Sequence, residues 1–333
     1  MAKVYRQASE EMQGKVNDYF ERFQKKDETW RRWVADGTKT QAEYKAWRTG
    51  QIAVGQRWTS MRDVLAREFA DVNRAVRRMV ADKTPEIYAE NFNYGTYQLE
   101  HESGLDTSFN LYNREAVYRI LRENPDLLPD PSEGTMARIL RGKDIMYNRR
   151  ALQSAVMQGI IQGESIPKIA GRLVRDVGEK NYKSAVRNAR TLATGAQNAG
   201  RMDAYRRGAR LGIETAKRWS ATHDGRTRHW HSELDGEEVP LESPFENEYG
   251  EIMYPGDPGA EPANVYNCRC TLIPVYKGYE EFQSHPAYQD LVIEGQSYDE
   301  WKHDRRARSE PIDKQTKMGN TIRGAWNKKY RGK

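Results

Sequence analysis

The sequence predicts a predominantly helical α+β protein. Three observations carry that reading: apolar residues recur at helical spacing through most of residues 9–83 and again from about Thr135 to Leu211, the period changes after Gly212, and a long proline- and glycine-rich stretch then separates two strand-like runs.

In the first region, "MRDVLAREFADVNRAVRRMVADK" sets Met61, Val64, Leu65, Ala75, Val76 and Met79 mostly three and four residues apart, with a turn expected at Gly50 and Gly55. From Thr84 to Gly134 the texture becomes aromatic and polar. It ends in "NPDLLPDPSEG", where Pro125, Pro129 and Pro131 make a loop or linker. In "GESIPKIAGRLVRDVG", Ser165 is placed to cap a helix, Pro167 is tolerated in its first turn and Gly178 is placed to end it. A second helix, Tyr182 to Leu211, carries Ala185, Ala189, Ala193, Ala196 and Ala199 near one face, a surface for close packing. "ETAKRWSAT" and "CRCTLIPVY" read as short strands flanking a turn-rich insertion from Asp224 to Asn267, whose shape must come from specific turns and tertiary contacts.

A chain of 333 residues is long enough for two domains and a tail. Its charge is partitioned: residues 1–137, an N-terminal helical region ending in a Pro-rich loop, carry −1, the helical segment 138–218 carries +12, the loop-rich β-containing module 219–301 carries −13, and the tail 302–333 carries +8. The two central blocks are adjacent and nearly equal, so they are expected to neutralise each other, while nothing nearby in sequence offsets the tail. The mean hydropathy is −0.95, and no apolar run approaches the ~20 residues of a membrane span, so no membrane partner is expected. No apolar stretch follows the first basic residues, so a secretory signal is not expected there. Two cysteines one residue apart cannot staple a secreted framework, which points to a reducing compartment or a fold independent of oxidation.

Chemistry concentrates in "RTRHWHSELDG", residues 226–236, with His223 just upstream and Cys268 and Cys270 downstream in "NCRC". Trp219, Asp224, Arg226, Thr227, Arg228, His231, Leu234, Asp235 and Gly236, then Phe245, then Pro255, Gly256, Asp257 and Pro258, and finally Asn267, Cys268, Arg269 and Cys270 follow one another in the order and spacing of a known pattern. The segment resembles the phage Mu protein F-like family, the minor head or head-morphogenesis proteins of tailed phages. The resemblance covers about residues 150–276 and takes in "GESIPKIAGRLV" and "ARTLATGAQNAGRMDAYRRGA"; where family members often have Arg-Thr-Glu, this chain has Arg190, Thr191 and Leu192. It implies a structural virion component, present in few copies in the head and in the host cytoplasm during assembly. Its implied partners are the portal protein and the inner capsid or scaffold, with a role during DNA packaging or ejection.

Some family members carry Cys-x-x-Cys where this chain has Arg228 and His231, which opens a zinc reading. His231, Cys268 and Cys270 are then candidate ligands, with His223, His229 or Asp224 as the fourth. On the alternative reading Asp224, Arg226, Arg228, His231 and Asp235 form a metal-free polar lock that fastens the insertion to the strand carrying the cysteines, with Arg226 and Arg228 paired to Asp235 and Glu233. A metal-dependent nuclease is a third reading, because clustered His and Asp can activate water. Against it, Asp224, Asp235 and Asp257 sit in turns, where carboxylates commonly bond backbone amides, and no catalytic residue is assigned.

In the tail, Arg305, Arg306, Arg308, Lys328, Lys329 and Arg331 are candidate nucleic-acid contacts, with Trp301 just before it and Trp326 and Tyr330 within it. Cations among aromatics suit DNA, through phosphate neutralisation and stacking, and suit an acidic protein surface equally. A non-catalytic DNA-binding accessory protein is therefore a further alternative.

Overall fold

The computed structural model describes residues 1–104, 111–113, 117, 143–277 and 296–306. The Pro-rich loop at 125–134 and tail residues Arg308, Lys328, Lys329 and Arg331 lie outside them. The fold is α+β and predominantly helical, as the sequence predicts. Its elements are α1 (Ala2–Ala35), α2 (Gln41–Arg48), a π-helical turn (Thr49–Val54), α3 (Gln56–Ala81), α4 (Thr84–Ser103), α5 (Ile145–Ile161), α6 (Ile166–Arg210), β1 (Glu214–Ser220), α7 (His229–Glu233), β2 (Glu238–Pro240), β3 (Phe245–Asn247), β4 (Gly250–Ile252), α8 (Pro262–Val265) and β5 (Thr271–Lys277). Residues 298–306 are also helical. No helix among the described residues is long and apolar enough to cross a membrane.

The chain forms two compact units, Met1–Asp82 with Pro131–Arg190, and Lys83–Asp130 with Thr191–Lys333. In the first, apolar stripes of α1, α3, α5 and the start of α6 meet in a core that includes Phe20, Trp58, Leu65, Phe69, Val156 and Leu173. Local signals set its boundaries. Thr40 and Glu43 make a reciprocal capping box at α2, and Asp144 caps α5 through the Tyr147 amide. Several polar groups that the core buries are paired within it: Asn73 bonds Asn181, Asn181 bonds Asn148, and the Arg48 guanidinium donates to the Glu164 carbonyl at 2.6 Å.

In the second unit, β1 is the central strand of an antiparallel sheet of order β2-β1-β5, with β1 and β5 paired from Glu214↔Lys277 to Ser220↔Thr271. β3 and β4 form a separate hairpin. Residues 298–306 bring the buried Trp301 and Arg305 to Glu100 of α4, with Trp301 Nε1 2.6 Å and Arg305 Nη2 2.7 Å from the same carboxylate oxygen.

Three expectations are corrected. Residues 84–103 are helical despite their polar, aromatic texture, started by Pro85 in the first turn and ended by Gly104 in the left-handed conformation. Their weak intrinsic propensity is outweighed by packing, which buries Phe92, Leu99 and the face around Gly95. Gly178 does not end a helix, since α6 runs unbroken for 45 residues. A side chain there would come within 3.3 Å of Ser9 Oγ and 3.5 Å of the Phe69 ring, so the glycine serves close packing. Finally, Cys268 and Cys270 precede β5 and are not in it; the strand begins at Thr271.

Candidate functional site

The insertion between β1 and β5 leaves and rejoins the sheet at one end, because Ser220 and Thr271 are cross-strand partners. Its two necks are stitched there. Backbone bonds from Trp219 N to Glu237 O (3.0 Å) and from Gly236 N to Trp219 O (2.9 Å) fold the first arm back on β1. Asp235 accepts the Ala221 amide at 2.7 Å with one carboxylate oxygen and faces His223 Nε2 at 3.2 Å with the other. Thr222 Oγ1 donates to the Arg269 carbonyl at 2.9 Å, tying the arms together.

Asp224 accepts the Arg226 amide at 2.9 Å, an Asx turn, and also takes a two-pronged bond from Arg269. The Arg269 bond and then the Arg226 amide hold the Asp224 carboxyl well below the usual carboxylate range. Arg228 donates to the Tyr266 carbonyl. The expected pairing of Arg226 and Arg228 with Asp235 and Glu233 is not found among the described residues. Asp235 faces His223 instead, Glu233 faces His229 at 3.1 Å, and Arg226 projects into solvent beside Asp224. The short turns supply nearer partners than the long arginines can reach.

His231, on the one-turn helix α7, is buried, with its ring edge-on to Trp219 at a centroid distance of 5.4 Å. Its Nδ1 atom lies 3.6 Å from Cys268 Sγ and 3.7 Å from Cys270 Sγ. Its Nε2 is buried and has no hydrogen-bond partner among the described residues. The hydrogen bond from Cys268 and then His231 pull the Cys270 thiol below its ordinary value, while the Cys268 thiol is pushed up by the same bond and by burial. Both cysteines are buried and free.

Behind the cysteines runs α6, and here sequence reasoning missed the residues that matter. Of the five alanines expected to form its packing face only Ala196 is fully buried; the buried positions include Asn181, Ser184, Asn188, Thr191, Thr194 and Asn198. Thr191 Oγ1 accepts the Asn267 amide at 3.1 Å and Thr194 Oγ1 donates to the Cys268 carbonyl at 2.8 Å. Asn198 accepts the Leu272 amide at 2.9 Å and donates to the carbonyls of Pro255 (3.0 Å) and Cys270 (3.3 Å). Asn267 has a φ of 58°, a left-handed conformation that asparagine tolerates better than most residues. The signal was legible in the three- and four-residue spacing of these short polar side chains, which suits a helix face that binds loop backbone.

Residues 150–273 match the family described as Phage Mu protein F like protein. This segment belongs to the phage Mu protein F-like family. The Mu F-like segment starts within α5 and ends within β5, so it contains α6, β1 and the whole insertion. Over 315 residues the chain is 25% identical to the minor head protein GP7 of Bacillus phage SPP1, covering 92% of this chain and 91% of that protein. It is 30% identical over 223 residues to a protein of Enterococcus faecalis named NAD(+)--arginine ADP-ribosyltransferase EFV, and 27% identical over 217 residues to an uncharacterized Haemophilus influenzae protein. These alignments cover 67% and 65% of this chain but only 44% and 43% of those two proteins, so the chain spans less than half the length of either. No solved structure matches the chain.

Proposed function

We propose that this protein is a non-catalytic minor head protein, a structural component of a tailed-phage head that joins the portal protein during assembly. The observation that carries the reading is end-to-end likeness to the SPP1 minor head protein, which extends beyond the Mu F-like segment to 92% of the chain. The site chemistry is in keeping with it. Asp224 is taken up by Arg269 and the Arg226 amide, Asp235 by Ala221 and His223, and Asp257 by the amides of Met253 and Gly259, so these carboxylates stabilise turns. A hydrolytic centre needs such groups turned toward a substrate or a metal-bound water. The transferase name belongs to a relative of which this chain spans 44%, and we assign no such activity here.

In this reading the protein resides in the virion head, contacts the inner capsid or scaffold, and reaches DNA through its basic tail. The test is co-expression with the portal protein of the same phage, followed by mass measurement. A complex of defined stoichiometry supports the proposal. Failure of the two proteins to associate, with heads assembling equally well when this chain is omitted, overturns it.

A further inference from the structure

We propose that His231, Cys268 and Cys270 bind one zinc ion through Nδ1 and the two Sγ atoms, with water in the fourth position. The ion would clasp the neck of the insertion. This proposal stands apart from the head-protein reading, because it rests only on the geometry of three buried side chains.

The distances carry the argument. These three ligand atoms all lie within 4.8 Å of one another, and they are the group of this kind found among the described residues. For tetrahedral zinc with Zn–N of about 2.0 Å and Zn–S of about 2.3 Å, the N···S edge of the tetrahedron is about 3.6 Å. The observed separations are 3.6 and 3.7 Å. A hydrogen bond between imidazole and thiol could produce one such contact, but a single nitrogen poised equally between two sulfurs is the arrangement a shared ion imposes.

The imidazole supports the same conclusion. His231 is 2% exposed and its Nε2 is buried with no partner among the described residues, so the nitrogen with a chemical task is the one facing the sulfurs. With Nε2 carrying the proton, Nδ1 presents a lone pair. Zinc entry then forms one N–Zn and two S–Zn bonds, the thiol protons leave to solvent, and nothing is oxidised. Two thiolates balance the charge of the ion, which suits a buried site.

The residues considered from sequence as a fourth ligand are engaged elsewhere. His223 Nε2 faces Asp235, His229 Nδ1 faces Glu233, and the Asp224 carboxylate is held by Arg269. The fourth position therefore falls to solvent.

The chain has two cysteines in all, so any thiolate–metal signal reports this site alone. The full-length protein is purified under reducing conditions without chelator and assayed for zinc, then stripped and titrated with cobalt(II). The proposal expects about one zinc per chain. It also expects a thiolate-to-cobalt charge-transfer band with the strong visible bands of tetrahedral cobalt, and zinc protection of both thiols from alkylation. Cys268→Ser, Cys270→Ser and His231→Gln should each lose the charge-transfer signature or shift it out of tetrahedral form. The cobalt and alkylation readouts use the unaltered chain, so they decide the matter even where a variant fails to fold. Metal-free protein, with no cobalt bands and thiols that react equally with or without zinc, overturns the proposal and leaves a thiol–imidazole hydrogen bond as the lock.

Discussion

Arg269 reaches Asp224 across 45 positions of chain, placing Nη1 2.5 Å from Oδ2 and Nη2 2.6 Å from Oδ1, and so ties the entry of the insertion to its exit. The pairing makes a pH prediction. The bond lowers the carboxyl below its ordinary value of about 3.9, so the folded state binds the Asp224 proton less readily than the unfolded chain does. Its stabilising contribution is then fully present above the unfolded value and is lost as pH falls through the lower native one. Thermal midpoints of the wild type and Asp224→Asn should differ at neutral pH, and the difference should begin to shrink below about pH 4 and vanish only as pH passes the lower native value. A difference that stayed constant with pH would mean the ion pair contributes nothing.

Asn198 satisfies groups from two separate stretches, the Pro255 carbonyl and the Cys270–Leu272 backbone. Asn198→Ala leaves these buried groups without their partner and should cost about 1–3 kcal/mol. Urea denaturation reads the loss, and faster hydrogen exchange at the Leu272 amide locates it.

Two glycines of α6 should respond in opposite directions. A Cβ at Gly200 would lie 2.4 Å from the Tyr88 carbonyl oxygen and 3.1 Å from the Phe92 nitrogen, backbone atoms of α4 that cannot turn aside. Gly200→Ala should destabilise by about 1–3 kcal/mol, as overpacking does. At Gly171 nothing lies within 4 Å, so Gly171→Ala should stabilise by about 0.5–1 kcal/mol through helix propensity. Denaturation midpoints of the two variants test the contrast.

Arg305 was a candidate nucleic-acid contact, yet it is 4% exposed and bonded to the fully buried Glu100. Arg305→Ala removes the guanidinium opposite a buried carboxylate and should cost about 3 kcal/mol or more. Limited proteolysis should then cleave at 296–306 sooner than in the wild type. Unchanged protection would show that the remaining bonds, Trp301 to Glu100, Lys302 to Glu90 and Tyr97 to the Gln296 carbonyl, hold the segment without it.

DNA binding should accordingly depend on residues beyond this anchor. Deleting residues 307–333 should abolish most of any weak, sequence-independent affinity and most of its salt dependence, because released counterions supply that free energy. Affinity measured at two salt concentrations, with and without the deletion, gives the answer. Undiminished binding would move the contact to the basic helical block.

Long periodic helices and the two flanking strands were legible in the sequence, since α1, α3, β1 and β5 each follow their local pattern. Two kinds of feature were not. Residues 84–103 and Gly178 show tertiary packing overriding local texture, as Leu99 and Phe92 are buried and Phe69 needs the space at Gly178. In the candidate site, the motif brought attention to Asp224, His231, Cys268 and Cys270. Arg269 as the partner of Asp224, and the service of Thr191, Thr194 and Asn198 behind the cysteines, depend on which distant backbone a side chain meets, and one-dimensional spacing does not encode that.

The pairing of Ser220 with Thr271 makes residues 221–270 a closed loop with a fixed mouth. For such a loop the entropy of closure rises only logarithmically with length, about 0.6 kcal/mol for each doubling. Segments can therefore be added or removed at its far side with little penalty, provided the mouth stays shut. Contacts at the mouth hold the folded loop shut, but unlike a covalent crosslink they are lost on unfolding, so the whole closure entropy must be met each time the module folds. The part of this module with the least freedom to change is thus its gateway, while its periphery is open to variation.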